Sequence, residues 1–483
     1  MPQIEVTTLS GEKTGLSEAQ VTQFAQRLRG RLLQPGEDGF TECRTIWNAM
    51  IDRSPGLIVT AMGTADVREA VNCARNNSLL LSVRGGGHNV AGSAVCDGGL
   101  MLDLTRMKSV QVDPESRVAR AEPGVTLGEF DHETQAFGLA TPLGINSTTG
   151  IAGLTLGGGF GWLTRKYGMT IDNLLSAQVV TADGNVRRAS AEENPDLFWG
   201  IRGGGGNLGV VTRFEYRLHP VGPEVLAGLL VYPFEEAESV LKQYREFTRQ
   251  APEELTVWVV LRKAPPLPFL PSEVHGKEVL VLPLCYFGKL EEGQETIAPL
   301  RSFGRVLGEA IMPTPYQAFQ KAFDPLLTPG SRNYWKSHDF SDLSDDAIRT
   351  LLGFVTRLPS PQCEAFIGHI HGYMNRIPVT ATAFAHREVS YVLNVHGRWE
   401  QPESDSECIS WSRELFQAMT PYALGTVYVN FMTEDEQDRV QAAYGPNYQR
   451  MVQVKDKYDP MNLFRLNQNV KPSREVETTQ TTR

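Results

Sequence analysis

The 483-residue sequence has no apolar run of the roughly 18 residues that a membrane-spanning helix needs. Its N-terminal stretch lacks both the basic start and the apolar segment of a secretory signal peptide. No Lys/Arg-rich run is present, and a net charge of -10 argues against a polyanion-binding surface. These absences predict a cytoplasmic protein that binds neither a membrane nor nucleic acid.

Motifs of metal and hydrolase chemistry are also missing. No CxxC pair occurs, no Cys/His/carboxylate set has metal-ligand spacing, and no G-x-S-x-G motif is present. The pattern therefore predicts no bound metal and no nucleophile-elbow hydrolase. We expect reduced thiols at the six scattered cysteines, which are Cys43, Cys73, Cys96, Cys285, Cys363 and Cys408.

What the chain does contain is typical of a globular protein of two or three domains, with 41% hydrophobic and 21% charged residues. Residues 56–62 and 79–83 are strand-like runs that flank a helical pattern at 64–77. This β–α–β order predicts an α/β arrangement in the first half. The composition changes near 219–225, where we place a domain boundary.

Glycine is concentrated in three clusters, at 85–87, 157–161 and 203–209. The third contains a literal G-x-G-x-x-G, but it follows a helix and opens a strand, which is the reverse of a Rossmann site. Exposed backbone N–H groups in such loops suit a pyrophosphate, so three clusters favour a large phosphate-bearing cofactor. His88 directly follows the first cluster. It is either a structural histidine or an imidazole held against the reactive ring of that cofactor.

Four segments together resemble a known family. They are SVRGGGHNVAGSAVCDGGLMLDLTRM, GIAGLTLGGGFGWLTRKYGMTIDNLLSAQVVTADG, ENPDLFWGIRGGGGNLGVVTRFEYRL and KYDPMNLFRLNQNVKP. In this order they are similar to the FAD-linked oxidases of the vanillyl-alcohol-oxidase superfamily, with its PCMH-type FAD-binding domain. They look most like the bacterial members of the berberine-bridge-enzyme-like branch, and the resemblance covers residues from about 40 to 472.

The resemblance implies an α+β fold with a two-part FAD-binding domain and a substrate domain. Residues 1–222 would form the PCMH-type FAD-binding domain. Residues 223–424 would form a substrate domain with a large antiparallel sheet backed by helices. Residues 425–472 would return to the FAD domain, and the polar segment 473–483 is expected to be a disordered tail.

The resemblance also implies how FAD is held. His88 occupies the position of the histidine that is bonded to the flavin 8α-methyl group. Some relatives have a second link from a cysteine, but Asn146 stands in that place here and the nearest upstream cysteine is Cys96, so we expect one covalent bond. The remaining cofactor residues fall into four groups. The pyrophosphate would be held by Arg84, Gly85, Gly86, Gly87 and Asn89, and the other side of the flavin would be lined by Thr148, Thr149, Gly150, Gly153, Gly158 and Gly161. Val210 or Val211 would lie near the adenine half, and Asn467 and Asn469 would close the site at the ring.

A flavin of this kind accepts a hydride at N5 from an alcohol or amine C–H bond, with O₂ as the expected acceptor. The substrate would be a secondary metabolite, a sugar or a small cyclic compound. The alternatives are a dehydrogenase that uses another acceptor and a flavin-fold protein that catalyses a non-redox cyclisation. We expect no macromolecular partner and a monomer or homodimer.

The base for the substrate proton is sought on three segments that face the ring in the family, at 366–375, 389–399 and 426–432. Alternation places His369 with His371, and Tyr428 with Asn430, on common strand faces, and Tyr391 could pair with either set. These five residues are candidate catalytic groups, although each could equally be a wall residue. His396 and Arg398 could instead bind an anionic group of the substrate.

Overall fold

The computed structural model describes residues 3–473, so all but the first residue of the predicted tail 473–483 lies outside the described residues. Short 3₁₀ turns join the elements. The strands, in chain order, are β1 (Gln3–Thr7), β2 (Lys13–Ser17), β3 (Arg31–Leu33), β4 (Leu57–Thr60), β5 (Leu81–Arg84), β6 (Leu100–Asp103), β7 (Val110–Asp113), β8 (Val118–Ala121), β9 (Leu139–Ala140), β10 (Leu174–Val180), β11 (Val186–Ser190), β12 (Val210–Arg217), β13 (His219–Pro220), β14 (Glu224–Pro233), β15 (Leu255–Val257), β16 (Val259–Lys263), β17 (Glu278–Tyr286), β18 (Gly308–Pro315), β19 (Arg332–Phe340), β20 (Glu364–His369) and β21 (Tyr391–Trp399).

The helices pack on the faces of the sheets and fill the connections between strands. They are α1 (Glu18–Gln26), α2 (Phe40–Arg44), α3 (Thr64–Asn76), α4 (Leu127–Gln135), α5 (Ile151–Leu156), α6 (Thr164–Tyr167), α7 (Pro195–Ile201), α8 (Ala237–Thr248), α9 (Leu290–Ile297), α10 (Tyr316–Phe319), α11 (Asp345–Val355), α12 (Asp405–Met419), α13 (Val440–Tyr444) and α14 (Tyr448–Tyr458). None of the helices in residues 3–473 is long and apolar enough to cross a membrane.

The predicted β–α–β unit is confirmed in the first half. Strands β4, β6 and β5 are parallel neighbours in the four-stranded sheet β3-β4-β6-β5. Helix α3 connects β4 to β5, and Val67, Ala70, Val71 and Ala74 are buried on one face, as the 3.6-residue spacing requires. The sheet therefore ends, at the carboxyl end of β5, directly at the glycines of the 85–87 cluster.

A second sheet of the first half has the order β11-β10-β12-β8-β7 and is antiparallel. Antiparallel hairpins join β7 to β8 and β10 to β11. Helix α7 follows at 195–201, and Asn194 precedes it without making a side-chain cap. Asn194 has a φ of 49° and its amide donates a hydrogen bond to the Arg188 carbonyl, so it closes the preceding turn instead.

The middle of the chain forms the predicted large antiparallel sheet, with the order β18-β14-β17-β16-β20-β21-β19 and with β15 also paired to β17. Helices α8, α11 and α12 cover one face and share a buried apolar core with it. Alternate residues of β20 and β21 point to this helix layer, among them Ile367 and Leu393. Their neighbours Phe366 and Asn394 point to the opposite face, toward the FAD-domain half.

The last segment returns to the first half of the chain and is fixed there by a buried ion pair. Lys455 of α14 is fully buried and donates to Asp459 at 2.7 Å and to the carbonyls of Asn207 and Phe464 at 2.9 and 3.0 Å. These bonds tie α14 and the following loop to the 203–209 glycine cluster. The position of Asn467 in the site depends on this attachment.

The expected strand at 426–432 is absent. Residues Val429–Phe431 form a 3₁₀ turn in which the Phe431 N–H donates to the Tyr428 carbonyl at 3.0 Å. The Asn430 amide donates to the Leu154 carbonyl at 3.1 Å. The segment thus crosses the end of α5 instead of pairing as a strand. Its apolar residues alternate because it is buried against both α5 and the large sheet.

Candidate active site

A cavity of about 370 Å³ lies where the glycine clusters, the C-terminal segment and the free face of the large sheet meet. Its walls come from segments that are far apart in the sequence, including Trp47, Gly87, Gly150, His396 and Asn467. The cavity is therefore a product of the three-dimensional fold and combines both halves of the chain.

Two glycine loops touch at the base of the cavity. A Cβ atom on Gly86 would stand 2.3 Å from the Gly150 nitrogen, so no larger side chain fits there. By contrast, a Cβ on Gly153 or Gly205 would have no neighbour closer than 3.7 Å. The glycines thus do two different things: some allow backbones to approach each other, and others leave room for a ligand beside the backbone.

His88 has a defined tautomer in this site. The Thr148 hydroxyl gives its only proton to Asn146 Oδ1 at 2.7 Å, so it must accept the 2.9 Å hydrogen bond from His88 Nε2. The proton of a neutral imidazole is then on Nε2 and the lone pair is on Nδ1. Burial, with the nearby charge of Arg398, lowers the pKa of His88 to about 4, so the ring is neutral at pH 7.

The His88 ring is also fixed in orientation. It stacks on Trp47, with ring centroids 5.0 Å apart and an angle of 21° between the planes. Arg398 lies over the same indole at 5.2 Å. The histidine that follows the glycine cluster is therefore held by one hydrogen bond and one ring contact.

The structure brings most of the sequence-predicted cofactor residues to the cavity wall. Those that line it are Gly85, Gly86, Gly87, His88, Asn89, Thr149, Gly150, Gly153, Val210, Val211 and Asn467. Five others are not part of the wall: Arg84, Thr148, Gly158, Gly161 and Asn469.

Four of these five residues make contacts outside the cavity wall that account for their positions. Arg84 donates to the Cys43 carbonyl, and Thr148 holds His88. A Cβ on Gly161 would overlap the Leu143 carbonyl at 1.7 Å, and one on Gly158 would meet Met169 at 2.9 Å, so both glycines serve close packing. Asn469 has a buried Oδ1 atom with no partner among the described residues.

Of the five candidate catalytic residues, Tyr428 and Asn430 lie in the cavity wall. The Tyr428 oxygen accepts hydrogen bonds from the Gly159 N–H and from Asn430 Nδ2, both at 2.9 Å. Burial nevertheless raises the pKa of Tyr428 to about 12. Tyr428 is therefore poorly suited to take a proton near neutral pH.

The other three candidates do not reach the cavity. Tyr391 and His369 lie on the helix-facing side of the large sheet, where their rings are 5.1 Å apart and the Tyr391 hydroxyl bonds Thr248. His371 lies beyond the end of β20 and is exposed. The alternation on β20 was correctly read, but the helix layer covers the face that carries these residues.

The opposite face of the same strands supplies polar groups that the sequence analysis did not select as a base. Glu364, Asn394 and His396 line the cavity. His396 Nδ1 is 3.3 Å from Glu364 Oε1, and His396 Nε2 is 3.3 Å from Asn333 Oδ1. Polar residues at every second position of the otherwise apolar strand β21 were the sequence signal for this set.

The charges around His396 leave it neutral but able to hold a proton. Burial lowers the pKa of His396, while Glu364 acts in the opposite direction and Arg398 adds to the lowering. Burial alone would raise the pKa of Glu364, yet the Arg262 guanidinium, 2.9 Å away, holds it below its usual value. His396 is thus a neutral imidazole next to an ionised carboxylate.

The polar groups along the cavity wall suit FAD. Gly153, Gly205 and Gly206 expose backbone beside open space, which suits a pyrophosphate. The oxygens Oδ1 of Asn394 and Asn467 are buried at the wall and have no partner among the described residues, so each is available to a ligand donor. Residues 3–473 contain no group of three His, Cys, Asp or Glu side chains that could hold a metal ion.

Comparisons with known proteins agree with this geometry. Residues 55–190 match the family model described as an FAD binding domain, and residues 427–471 match the model described as berberine and berberine like. An FAD-linked oxidoreductase of Dictyostelium discoideum is 31% identical over 96% of this chain and 99% of its own. The (R)-6-hydroxynicotine oxidase of Paenarthrobacter nicotinovorans is 31% identical over 92% and 97%.

Solved structures give the same result. The crystal structure of 6-hydroxy-D-nicotine oxidase from Arthrobacter nicotinovorans has a TM-score of 0.83 and 29% identity, covering 92% of this chain and 98% of that one. Chitooligosaccharide oxidase shares the fold, with a TM-score of 0.82, 24% identity and coverage of 94% and 100%. Fold and cavity therefore define an FAD-linked oxidoreductase. The chain belongs to the berberine-bridge-enzyme-like family, which confirms the resemblance and the expected fold class.

Proposed function

We propose that the protein is an oxidase that carries FAD on His88 and oxidises an alcohol or amine, with O₂ as the final electron acceptor. The observation that carries the proposal is the His88 ring at the cavity wall, neutral and with its lone pair on Nδ1. A neutral imidazole nitrogen with a free lone pair is what a covalent bond to the flavin 8α-carbon requires. With FAD bound, the site would have a hydride acceptor at the flavin N5.

The residues that would hold FAD follow from the cavity wall. The backbone of the loop 85–89 and the facing loop 149–153 would bind the pyrophosphate, and Val210 and Val211 would lie beside the adenine half. Asn467 would close the site at the ring. Because Asn146 lines the cavity and none of the six cysteines in residues 3–473 does so, we expect His88 to be the single covalent link.

We propose that His396 is the base that accepts the proton of the substrate O–H or N–H. Both ring nitrogens of His396 face acceptor oxygens, one from Glu364 and one from Asn333. A neutral ring can satisfy only one of these with a proton, whereas an imidazolium satisfies both. Glu364 thus opposes the effect of burial on His396, so a ring that is neutral before the reaction would take the proton of the substrate O–H or N–H, with Glu364 positioning it.

The substrate side of the cavity favours an organic molecule with a ring or another apolar part. The sheet face presents Trp335, Phe366 and Trp258 beside the polar groups, and Phe431 lies opposite. A relative oxidises 6-hydroxynicotine, according to its name, which is a cyclic amine. All six cysteines are free, which supports a reducing compartment such as the cytoplasm.

An anaerobic substrate screen tests the proposal. Purified holoprotein is mixed under argon with alcohols, sugars and cyclic amines, and the flavin absorbance is followed. We expect bleaching by one of these classes, followed by rapid reoxidation and hydrogen peroxide formation when O₂ is admitted. Slow reoxidation by O₂ would indicate a dehydrogenase. Conversion of a substrate without bleaching would indicate non-redox chemistry.

A further inference from the structure

A second cavity of about 90 Å³ adjoins the first along the free face of the large sheet. The two cavities share five lining residues at their junction, which are Ile145, Trp258, Leu327, Glu364 and Phe366. From there the second cavity runs over β16, β17 and β14 and ends under the loop at 264–270. It therefore opens beside the groups that we assign to the reacting end of the substrate.

The walls of the second cavity are almost wholly apolar. Alternate residues of three strands line its floor, among them Leu229, Val260 and Val281, and Leu267 closes it from the loop. The indole N–H of Trp258 donates to the His369 carbonyl at 3.1 Å, so this side chain offers only its ring to the cavity.

The two charged side chains at the junction neutralise each other. Arg262 and Glu364 are paired at 2.9 Å and are both largely buried. Glu364 is directed in addition to His396 of the main cavity. The charge at the junction is thus compensated before any ligand binds, and the cavity beyond it is lined mainly by apolar side chains, which favours an apolar group.

We propose that the second cavity is a subsite for an apolar tail of the substrate, which makes the substrate an amphipathic molecule. Its oxidisable hydroxyl or amine lies near His396 and Asn394, and a short alkyl or branched hydrocarbon chain enters between Trp258 and Phe366. A cavity of about 150 Å³ lined by aliphatic and aromatic residues binds benzene. A cavity of 90 Å³ therefore suits a chain of a few carbons and excludes a fused ring system.

This inference rests on the proposed function for the position of the reacting end, but its test requires no turnover. The probes are the straight-chain primary alcohols from ethanol to 1-octanol, titrated into the holoenzyme while the fluorescence of its tryptophans is recorded. Each added methylene should strengthen binding about fourfold until the cavity is full. Longer alcohols should then gain nothing further.

Variants of the lining residues decide whether the increase in affinity with chain length comes from this cavity. Val260→Phe fills it from the sheet, and Leu267→Trp fills it from the loop with less risk to the core. Both should abolish the dependence on chain length and leave the ethanol affinity unchanged. Leu267→Ala enlarges the cavity and should extend the dependence by at least one methylene. Val186→Phe, at a half-exposed position of β11, is the matched control and should behave as the parent.

Two results would overturn the subsite: affinities that do not rise with chain length, or a rise that survives both Val260→Phe and Leu267→Trp. If either filling variant fails to fold, as judged by its circular dichroism, the other and Leu267→Ala still decide. A chain-length dependence in a protein whose flavin no alcohol or amine reduces would instead contradict the proposed oxidase function and leave the subsite in place.

Discussion

His88 and His396 are both kept neutral by burial, but their hydrogen-bond partners give them different chemistry. His88 donates from Nε2 to Thr148, which leaves the Nδ1 lone pair free for a bond. His396 faces two acceptors, Glu364 and Asn333. We therefore propose that the same residue type serves as the attachment point in one place and as the proton acceptor in the other.

The Thr148 hydroxyl should control covalent attachment through the tautomer of His88. Thr148→Val removes the acceptor for the His88 Nε2 proton, so the Nδ1–H tautomer becomes populated and the attacking lone pair is lost. We expect the fraction of flavin that stays with the acid-precipitated chain to fall severalfold. Thr148→Ser keeps the hydroxyl and should restore the fraction. Equal retention in Thr148→Val and the parent would contradict the tautomer argument.

The rate of flavin reduction should have an acid limb that belongs to His396. Its pKa is lowered, so the base is present at neutral pH and is lost as the pH falls below its usual value of about 6.5. His396→Gln should slow anaerobic flavin reduction by about 10²–10⁴-fold and remove the limb. His132→Gln, at an exposed histidine, is the control. Stopped-flow absorbance measures the rate of flavin reduction against pH in both variants. An acid limb that is unchanged in His396→Gln would exclude His396 as the base.

At the scale of elements, the contact between two glycine loops forms the base of the cofactor cavity. Gly86→Ala would bring a methyl group to within 2.3 Å of the Gly150 nitrogen and force the loops apart. Overpacking of this kind costs about 1–3 kcal/mol. We expect a folded protein with markedly reduced FAD content, measured by its absorbance ratio of flavin to protein.

Gly353→Ala is the control for that change, because a Cβ there meets nothing within 4 Å and the position lies in helix α11. It should keep the full FAD content. If Gly86→Ala bound as much FAD as the parent, the close approach of the two loops would not be needed for the cofactor.

The attachment of α14 should depend on its buried ion pair. Lys455→Met leaves Asp459 charged, buried and without its cation, which typically costs about 3–5 kcal/mol. Denaturant unfolding should show this loss. Lys457→Met, in the exposed pair with Asp196, should change stability by less than about 1 kcal/mol. Similar small losses in both variants would show that the pair does not fix the segment.

Local periodicity predicted many elements correctly and failed where burial came from more than one side. The helix at 64–77 has one buried face, and its 3.6-residue spacing was recognised. The segment 426–432 is buried against α5 and the large sheet together, so its alternation imitated a strand. On β20 and β21 the alternation of residues separated the two faces of the sheet, but it could not show which face the helices cover.

At the scale of the whole molecule, the candidate site joins residues from Trp47 to Asn467. The resemblance to the family predicted the fold, the FAD-linked chemistry and the glycine loops that meet at the cavity. It could not supply Glu364 and His396 as a pair, because that contact depends on the register of β20 against β21. Nor could it show the second cavity, whose walls come from separate strands and a loop.

Whether His88 carries the FAD can be read from the mass of the unfolded protein. Purified holoprotein is denatured in acid, its intact mass is measured, and a proteolytic digest locates any flavin-bearing peptide. We expect the mass of the chain plus one FAD, on the peptide that contains His88, and the bare chain mass for His88→Ala. A bare chain mass for the parent, with all flavin in the acid supernatant, would show that His88 does not carry the cofactor.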